Sequence, residues 1–126
     1  MKIIKVKAIY NNPEKGESVI SLTKWTNYEG FDLTICSNSG QFSHISMLFD
    51  EFRIIKNAVK VLDFENNTSV SKKCVVDKSL ITVKISTKTE FLVTIFNLNN
   101  HTQQIKITFN EFQFIKRAAK KLDRGK

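Results

Sequence analysis

The chain has 126 residues, of which 41% are hydrophobic and 25% charged, and it contains ten Phe but only four Gly and one Pro. This composition excludes a disordered chain, and a chain of this length buries roughly two-thirds of its unfolded surface without needing disulfides or metal. Lys and Arg number 20 against 12 Asp and Glu, giving a net charge of +8, which favours a polyanionic partner.

Runs of β-branched and aromatic residues, separated by clusters of Asn, Gly, Pro and Ser, predict strands. In the first half of the chain these runs are Lys2 to Ile9, Ser18 to Trp25, Phe31 to Cys36 and Gln41 to Met47. Apolar residues then recur every three or four positions from Phe49 to Leu62, which predicts a helix with one apolar face.

The second half of the chain follows the same order. The predicted strands are Val70 to Val76, Leu80 to Ser86, Glu90 to Leu98 and Thr102 to Ile107. A second helical stripe runs from Phe109 to Leu122, and Thr108 and Glu111 stand in capping-box spacing at its start.

This correspondence indicates an internal duplication. A shift of 60 residues aligns Ser18 to Asp63 with Lys78 to Asp123 without a gap, and 14 of the 46 positions are identical. Chance predicts about three or four matches, so we expect two tandem ββββα repeats, residues 1–63 and 64–126, in one α+β domain. Ile20 and Leu22 match Ile81 and Val83 in parity only after a one-residue shift in the following loop.

Two Cys, Cys36 and Cys74, are typical of a reducing compartment. Lys interrupts the apolar residues of the first ten positions, and no run approaches the roughly 20 apolar residues of a membrane span. We therefore expect a cytoplasmic protein, or one from another reducing intracellular compartment, without a membrane partner. The Lys-, Ile- and Asn-rich composition hints at a low-GC bacterial or viral genome.

With one helix for four strands, one face of each predicted sheet has no cover within its repeat. Strand alternation assigns Phe31, Leu33 and Ile35 to the helix side, and it assigns Lys and aromatic residues to the opposite, open face. That face must meet solvent, the other repeat or a ligand. Residues 1–63 carry eight basic and seven acidic groups, whereas residues 64–126 carry twelve and five, so the second repeat should dominate the attraction of phosphates.

Lys and exposed aromatic residues on a curved sheet fit single-stranded nucleic acid, because Lys neutralises phosphates and rings stack on unpaired bases. The stacking candidates are Trp25, Tyr28, Phe42 and Phe96. The phosphate-binding candidates are Lys5, Lys7, Lys24, Lys84, Lys88 and Lys106. Trp25 could equally fill the core or an interface, and outward-facing Lys on a strand is often merely solvated.

Motifs for catalysis, metals or cofactors are not found: His44 and His101 lack metal-ligand spacing to either Cys, and no Gly-rich phosphate loop precedes a helix. We therefore expect a non-enzymatic protein without a cofactor. Two other functions stay open. The open sheet could be a subunit interface of an assembly module, or the protein could be a transcription regulator that contacts duplex DNA.

The chain resembles three related groups: the positive-cofactor-four transcriptional coactivators, the plant Whirly proteins, and the PUR repeats of purine-rich-element-binding proteins. The resemblance lies in Lys24-Trp25, the loop from Asn27 to Gly30, the strand from Phe31 to Ile35, and the strand-to-helix passages from Ile45 to Phe52 and from Ile105 to Phe112. It implies binding of single-stranded DNA, or RNA, by a pseudo-dimer of curved antiparallel sheets with packed helices.

The chain also departs from that pattern. The second repeat has Ile85 or Ser86 in place of Trp25, and the loop from Ser37 to Gln41 is nearly neutral where the families have a basic one. The resemblance leaves open whether both sheets bind equally, whether such pseudo-dimers form homo-oligomers, and whether replication, recombination, transcription or RNA handling is served.

Overall fold

The computed structural model describes residues 3–8, 18–24, 29–36, 40–99 and 102–124, and for residues 3–8, 18, 19 and 124 it describes the backbone alone. These residues form two four-stranded antiparallel sheets and two helices. Sheet 1 contains β1 (Ile3–Ala8), β2 (Ser18–Lys24), β3 (Gly30–Cys36) and β4 (Phe42–Leu48), and α1 (Phe49–Val59) follows it. Sheet 2 contains β5 (Ser69–Lys73), β6 (Leu80–Ile85), β7 (Glu90–Phe96) and β8 (Gln103–Thr108), and α2 (Phe109–Arg124) follows it.

The strands in each sheet are ordered as in the chain, so the predicted α+β class and ββββα order are confirmed. The prediction placed the end of β5 at Val76, but the strand ends at Lys73. Beyond it the chain turns: the Cys74 N–H donates to the Ser79 carbonyl at 2.9 Å, and Lys78 adopts a φ of 61°. The predicted strand was too long because Val75 and Val76 are β-branched, although they lie in the turn and not in the strand.

The register confirms the one-residue offset between the repeats. Leu22 pairs with Leu33 in sheet 1, and Val83 pairs with Val93 in sheet 2. Val93 lies 60 positions after Leu33, but Val83 lies 61 positions after Leu22. The loop between the second and third strands therefore differs by one residue, and both sheets keep their apolar residues on one face.

Each helix begins over the sheet that precedes it, through a matched group of three Phe residues. The Phe31 ring lies 5.4 Å from Phe49 and 5.7 Å from Phe52, centroid to centroid. The corresponding distances from Phe91 to Phe109 and Phe112 are 4.4 and 5.4 Å. The edge-to-face contact recurs at interplanar angles of 73° and 72°, so the side chains at the two helix starts pack in the same way.

The two repeats pack through reciprocal contacts. Beyond its own sheet, α1 contacts β5 of sheet 2, and α2 contacts β1 and β2 of sheet 1. The sheets also meet directly, β3 against β8 and β4 against β7. One continuous hydrophobic core results, with Ile35, Ile45, Ile95 and Ile105 fully buried. Each amphipathic helix is thus covered partly by the repeat to which it does not belong.

Two side chains of repeat two form hydrogen bonds with backbone groups on the unpaired edge of β4. The Asn97 side chain donates to the His44 carbonyl at 2.6 Å, and the Ser46 N–H donates to Asp77 Oδ2 at 3.0 Å. Groups two residues apart on a strand face the same edge, so these two bonds cap one stretch of β4. An edge that would otherwise invite another strand is closed by turns of the second repeat.

Both helices start with a glutamate that accepts a backbone N–H. In α2, the Thr108 N–H donates to Glu111 Oε1 at 2.8 Å and the Glu111 N–H donates to Thr108 Oγ1 at 3.0 Å, which confirms the predicted capping box. In α1, Glu51 Oε1 accepts the Leu48 N–H at 2.9 Å, and Oε2 accepts the N–H of Val75 in repeat two at 3.0 Å. Glu51 therefore joins the helix start to the opposite repeat.

Candidate nucleic-acid interface

We call the face of each sheet that lies opposite its buried residues the open face. In sheet 2, the pairings Ser69 to Lys84, Lys84 to Leu92 and Leu92 to Lys106 place these four residues in one row across the open face. Lys84 is exposed, and Leu92 and Lys106 are half-buried. Neighbouring strands lie about 4.8 Å apart, so the Cα atoms of the two lysines are about 10 Å apart. The row therefore presents one lysine on each side of the apolar residue Leu92.

A second row on the same face carries the aromatic candidate. Lys73 pairs with Leu80, and Leu80 pairs with Phe96, the last residue of β7. Phe96 is 46% exposed, and Leu98 in the following turn is 90% exposed. Phe96 stands four residues from Leu92 along β7, about 13 Å away. Phe96 therefore shares one open face with three lysines, Lys73, Lys84 and Lys106.

Between these rows lies a neutral polar row of Ser71, Thr82, Thr94 and Gln104. The Ser71 and Thr82 hydroxyls are 2.9 Å apart and hydrogen-bonded to each other. Glu90 occupies the turn end of β7 and accepts a hydrogen bond from Thr87 Oγ1 at 3.3 Å. Apart from Thr94, the described side chains of the three rows are exposed or half-buried, so the part of the chain that the structure describes leaves this face open.

The open face of sheet 1 has a different character. Phe42 is 44% exposed, and its ring stacks on His44 with centroids 6.5 Å apart and an interplanar angle of 18°. Asp32 lies on this face and accepts a hydrogen bond from Ser46 Oγ at 2.8 Å. Leu92 occupies the corresponding position in sheet 2. Sheet 1 therefore combines a two-ring surface with a carboxylate that repels phosphate.

The structure brings Lys84, Phe96 and Lys106 together on one open face and places Phe42 on the other. The register pairs Lys5 with Ser21 and Lys7 with Val19. Trp25 and Tyr28 lie outside the described residues.

Two phosphate-binding candidates lie elsewhere. Lys24 pairs with buried Phe31, so it has the parity of the core face, although its repeat counterpart Lys84 lies on the open face. The one-residue offset between the repeats is the reason. Lys88, in the turn between β6 and β7, lines a cavity beside the helices.

Sequence reasoning missed two contributors to these faces. From the sequence, His44 is notable only for its lack of metal-ligand spacing, whereas in the structure its ring stacks on Phe42, two residues away on the same face of β4. Lys73 was included in a strand, yet its place in the row with Phe96 follows only from the register of β5 and β6. Alternation alone identifies a face, whereas register decides which residues on it are neighbours.

The two cysteines differ in environment. Burial, followed by the charge of Glu51, raises the pKa of the Cys74 thiol to about 12, while Cys36 is half-buried on the open face of sheet 1. Within the described ranges, no three His, Cys, Asp or Glu side chains are grouped so that they could hold a metal ion. Neither of the two helices, as far as their residues are described, is long and apolar enough to cross a membrane.

Comparisons of the chain with protein-family models, with curated proteins and with solved structures found no match.

Proposed function

We propose that the protein binds single-stranded nucleic acid, with DNA favoured, through the open faces of its sheets and without catalysis. The observation that carries this proposal is the open face of sheet 2, which the described residues leave accessible and on which Lys84, Lys106 and Phe96 all lie. The lysines supply phosphate attraction that is independent of sequence. The ring supplies a surface on which any unpaired base can stack.

The exposed aromatic residue favours single strands over duplexes. Base stacking contributes about 1–3 kcal/mol per base to binding, but a duplex hides its base faces in its own stack. Phe96 is the last residue of β7 and is 46% exposed, so part of its ring is accessible to an unstacked base. On sheet 1, Phe42 and His44 offer a comparable surface.

Sheet 2 is proposed as the stronger of the two surfaces. A phosphate near Asp32 on sheet 1 meets a like charge, whereas near Leu92 on sheet 2 it meets Lys84 on one side and Lys106 on the other. The open-face carboxylate of sheet 2, Glu90, lies at the turn end of β7 rather than between the lysines. The stronger binding proposed for sheet 2 also agrees with the net charges of the repeats, which are +7 for residues 64–126 and +1 for residues 1–63. Asp32 makes unequal binding by the two sheets a specific expectation.

The proposal includes a pseudo-dimer of the Whirly or PUR type, formed by the two repeats of one chain. The reciprocal contacts support it: α1 with β5 is matched by α2 with β1, and β3 with β8 is matched by β4 with β7. Such pairing is what a two-fold arrangement of two equivalent units requires. In this arrangement a covalent link replaces association of two separate chains.

Titration of a fluorescein-labelled oligo-dT with the full chain tests the proposal. Three phosphates neutralised by Lys73, Lys84 and Lys106 predict a slope of log K against log salt of about −2.1, which is about an 18-fold loss of affinity between 50 and 200 mM salt. Phe96→Ala should weaken binding about 5- to 150-fold, from the loss of one stacked base.

Phe114→Ala is the matched control, since Phe114 is an exposed ring on α2, where it lies against Arg117 rather than on a sheet. We expect its affinity for oligo-dT to be unchanged. An affinity independent of salt, or an equal effect of Phe96→Ala and Phe114→Ala, would contradict the proposal. Competition by duplex as strong as by single strand would point to a regulator of duplex DNA.

Phe96 and Leu98 are exposed apolar residues, and they also favour one alternative, in which the open face of sheet 2 joins a second subunit. Light scattering across a range of protein concentrations separates the two functions. A dimer that dissociates when Phe96 and Leu98 are replaced by Ser, together with no binding of oligo-dT by the native protein, would establish the assembly module.

A further inference from the structure

A cavity of about 430 Å³ lies on the helix side of the molecule, away from the open faces. Its walls come from the last turn of α1 and the residues that follow it, from the first half of α2, and from the turn between β6 and β7 with the adjoining strand ends. Apolar side chains form much of its lining, among them Val59, Ile85, Phe91, Phe109 and Phe112. This volume is in the range of small-molecule sites, which are mostly apolar with a few placed polar groups.

The charged groups around this cavity are unbalanced. Four lysines line it: Lys56 lies in the last turn of α1, Lys60 directly follows α1, Lys88 lies in the turn between β6 and β7, and Lys116 lies in α2. Asp63 is the lining carboxylate. Asp63 Oδ1 accepts the N–H groups of the next turn, including that of Asn66 at 2.7 Å. Burial, then the charges of Lys60 and Lys56, lowers the pKa of the Lys116 ammonium. An anion placed among these lysines would relieve their mutual repulsion.

The duplication provides an internal comparison. A second cavity of about 240 Å³ is lined by residues that lie 60 positions before or after lining residues of the larger cavity. Lys120 takes the place of Lys60, and Asp123 takes the place of Asp63. There Arg53 stands where the larger cavity has Gln113, and its Nη2 is 3.2 Å from Asp123 Oδ2. The smaller cavity therefore holds its own ion pair. Lys56 and Lys116 line both cavities, and each cavity has four basic side chains and one carboxylate. The larger cavity differs in its volume and in having the neutral Gln113 where Arg53 pairs with Asp123.

We propose that the larger cavity binds one small anionic amphiphile, with a carboxylate or phosphate group among Lys56, Lys60, Lys88 and Lys116 and an apolar body against the Phe and aliphatic walls. The walls argue for an acyl or similar apolar body rather than a nucleobase. Among the lining residues, Gln113 is the uncharged side chain able to pair with the edge of a base, and burial of unpaired polar groups is unfavourable. This site is separate from the proposed nucleic-acid interface.

Calorimetric titration of the full chain with short amphiphiles below their micelle concentrations tests the proposal. We expect decanoate and decyl phosphate to bind with one molecule per chain, and the ratio of their affinities identifies the preferred head group. Decyltrimethylammonium, which has the same chain but a positive head, should bind at least tenfold more weakly. Equal binding of the cation, or tighter binding of dAMP than of either anion, would overturn the proposal.

Variants place the ligand in the larger cavity. Lys60→Gln and Lys88→Gln both alter exposed side chains that line it, and together they should weaken decyl phosphate binding at least tenfold. Lys120→Gln, the repeat counterpart of Lys60 in the smaller cavity, should leave binding unchanged. An equal effect of Lys120→Gln would contradict the assignment. Decanoate should not displace bound oligo-dT, and full competition between them would also overturn the proposal of a separate site.

Discussion

Replacement of Glu51 by Ala tests how the two repeats are held together. The Glu51 side chain is 6% exposed, and its two oxygens accept the N–H groups of Leu48 and Val75 at 2.9 and 3.0 Å. Leu48 precedes α1, whereas Val75 belongs to the turn after β5. One carboxylate therefore supports both the start of a helix and the contact between repeats.

The expected loss follows from these two bonds. A hydrogen bond to a charged group contributes about 1.5–3 kcal/mol, so two such bonds contribute about 3–6 kcal/mol. Val75 is exposed, and its N–H can regain water in the variant, which reduces the net loss. We therefore expect Glu51→Ala to lower the free energy of unfolding by about 3–4 kcal/mol.

Urea unfolding monitored by circular dichroism measures this change. Glu51→Gln keeps one carbonyl acceptor and should lose about half as much stability, since one of the two bonds survives. Glu65→Gln alters an exposed carboxylate and should change stability by less than about 0.5 kcal/mol. A loss below about 1 kcal/mol for Glu51→Ala would refute the assigned role of this carboxylate.

Three further predictions concern the core, the thiols and the open face of sheet 1. Phe31→Ala should lower the free energy of unfolding by about 3–5 kcal/mol in the same urea assay, because the ring is fully buried. A thiol reagent should modify Cys36 in the native protein but Cys74 only after unfolding. The pKa of Cys74 is raised to about 12 in the folded protein, whereas the unfolded value is near 9. The protonated thiol therefore contributes its full stabilisation below about pH 9, and this stabilisation is lost as the pH rises toward 12. Urea unfolding at several pH values would detect the loss. Asp32→Asn should tighten oligo-dT binding about two- to fivefold at 50 mM salt by removing a like charge, and weaker binding would contradict that reasoning.

The elements and the open faces could be predicted because they depend on local periodicity. A period of two identified β3 and β7, and a period of three to four identified α1 and α2. The duplication then added independent support, since each pattern occurred twice. The offset between the second strands was also predictable, because a sheet with one buried face cannot change parity without a change of loop length.

The partners of each face could not be predicted in the same way. The apolar stripe of α1 shows that the helix is buried, but it carries no information that β5 of the other repeat supplies part of the cover. Lys24 and Lys84 are identical residues at equivalent aligned positions, yet register places them on opposite faces. The charge of Lys88 predicts a phosphate contact, but tertiary packing, which the sequence does not show, places this residue beside a cavity at the helices.

We propose above that the open face of sheet 2 attracts the phosphates of an unpaired strand. The most direct test compares the salt dependence of oligo-dT binding for the double variant Lys84→Gln/Lys106→Gln with that for Lys120→Gln/Lys121→Gln, two exposed lysines of α2. Each pair lowers the net charge from +8 to +6. We predict that the sheet variant reduces the magnitude of the slope of log K against log salt by about 1.4, whereas the helix variant leaves it unchanged. Equal slopes for the two variants would contradict the claim.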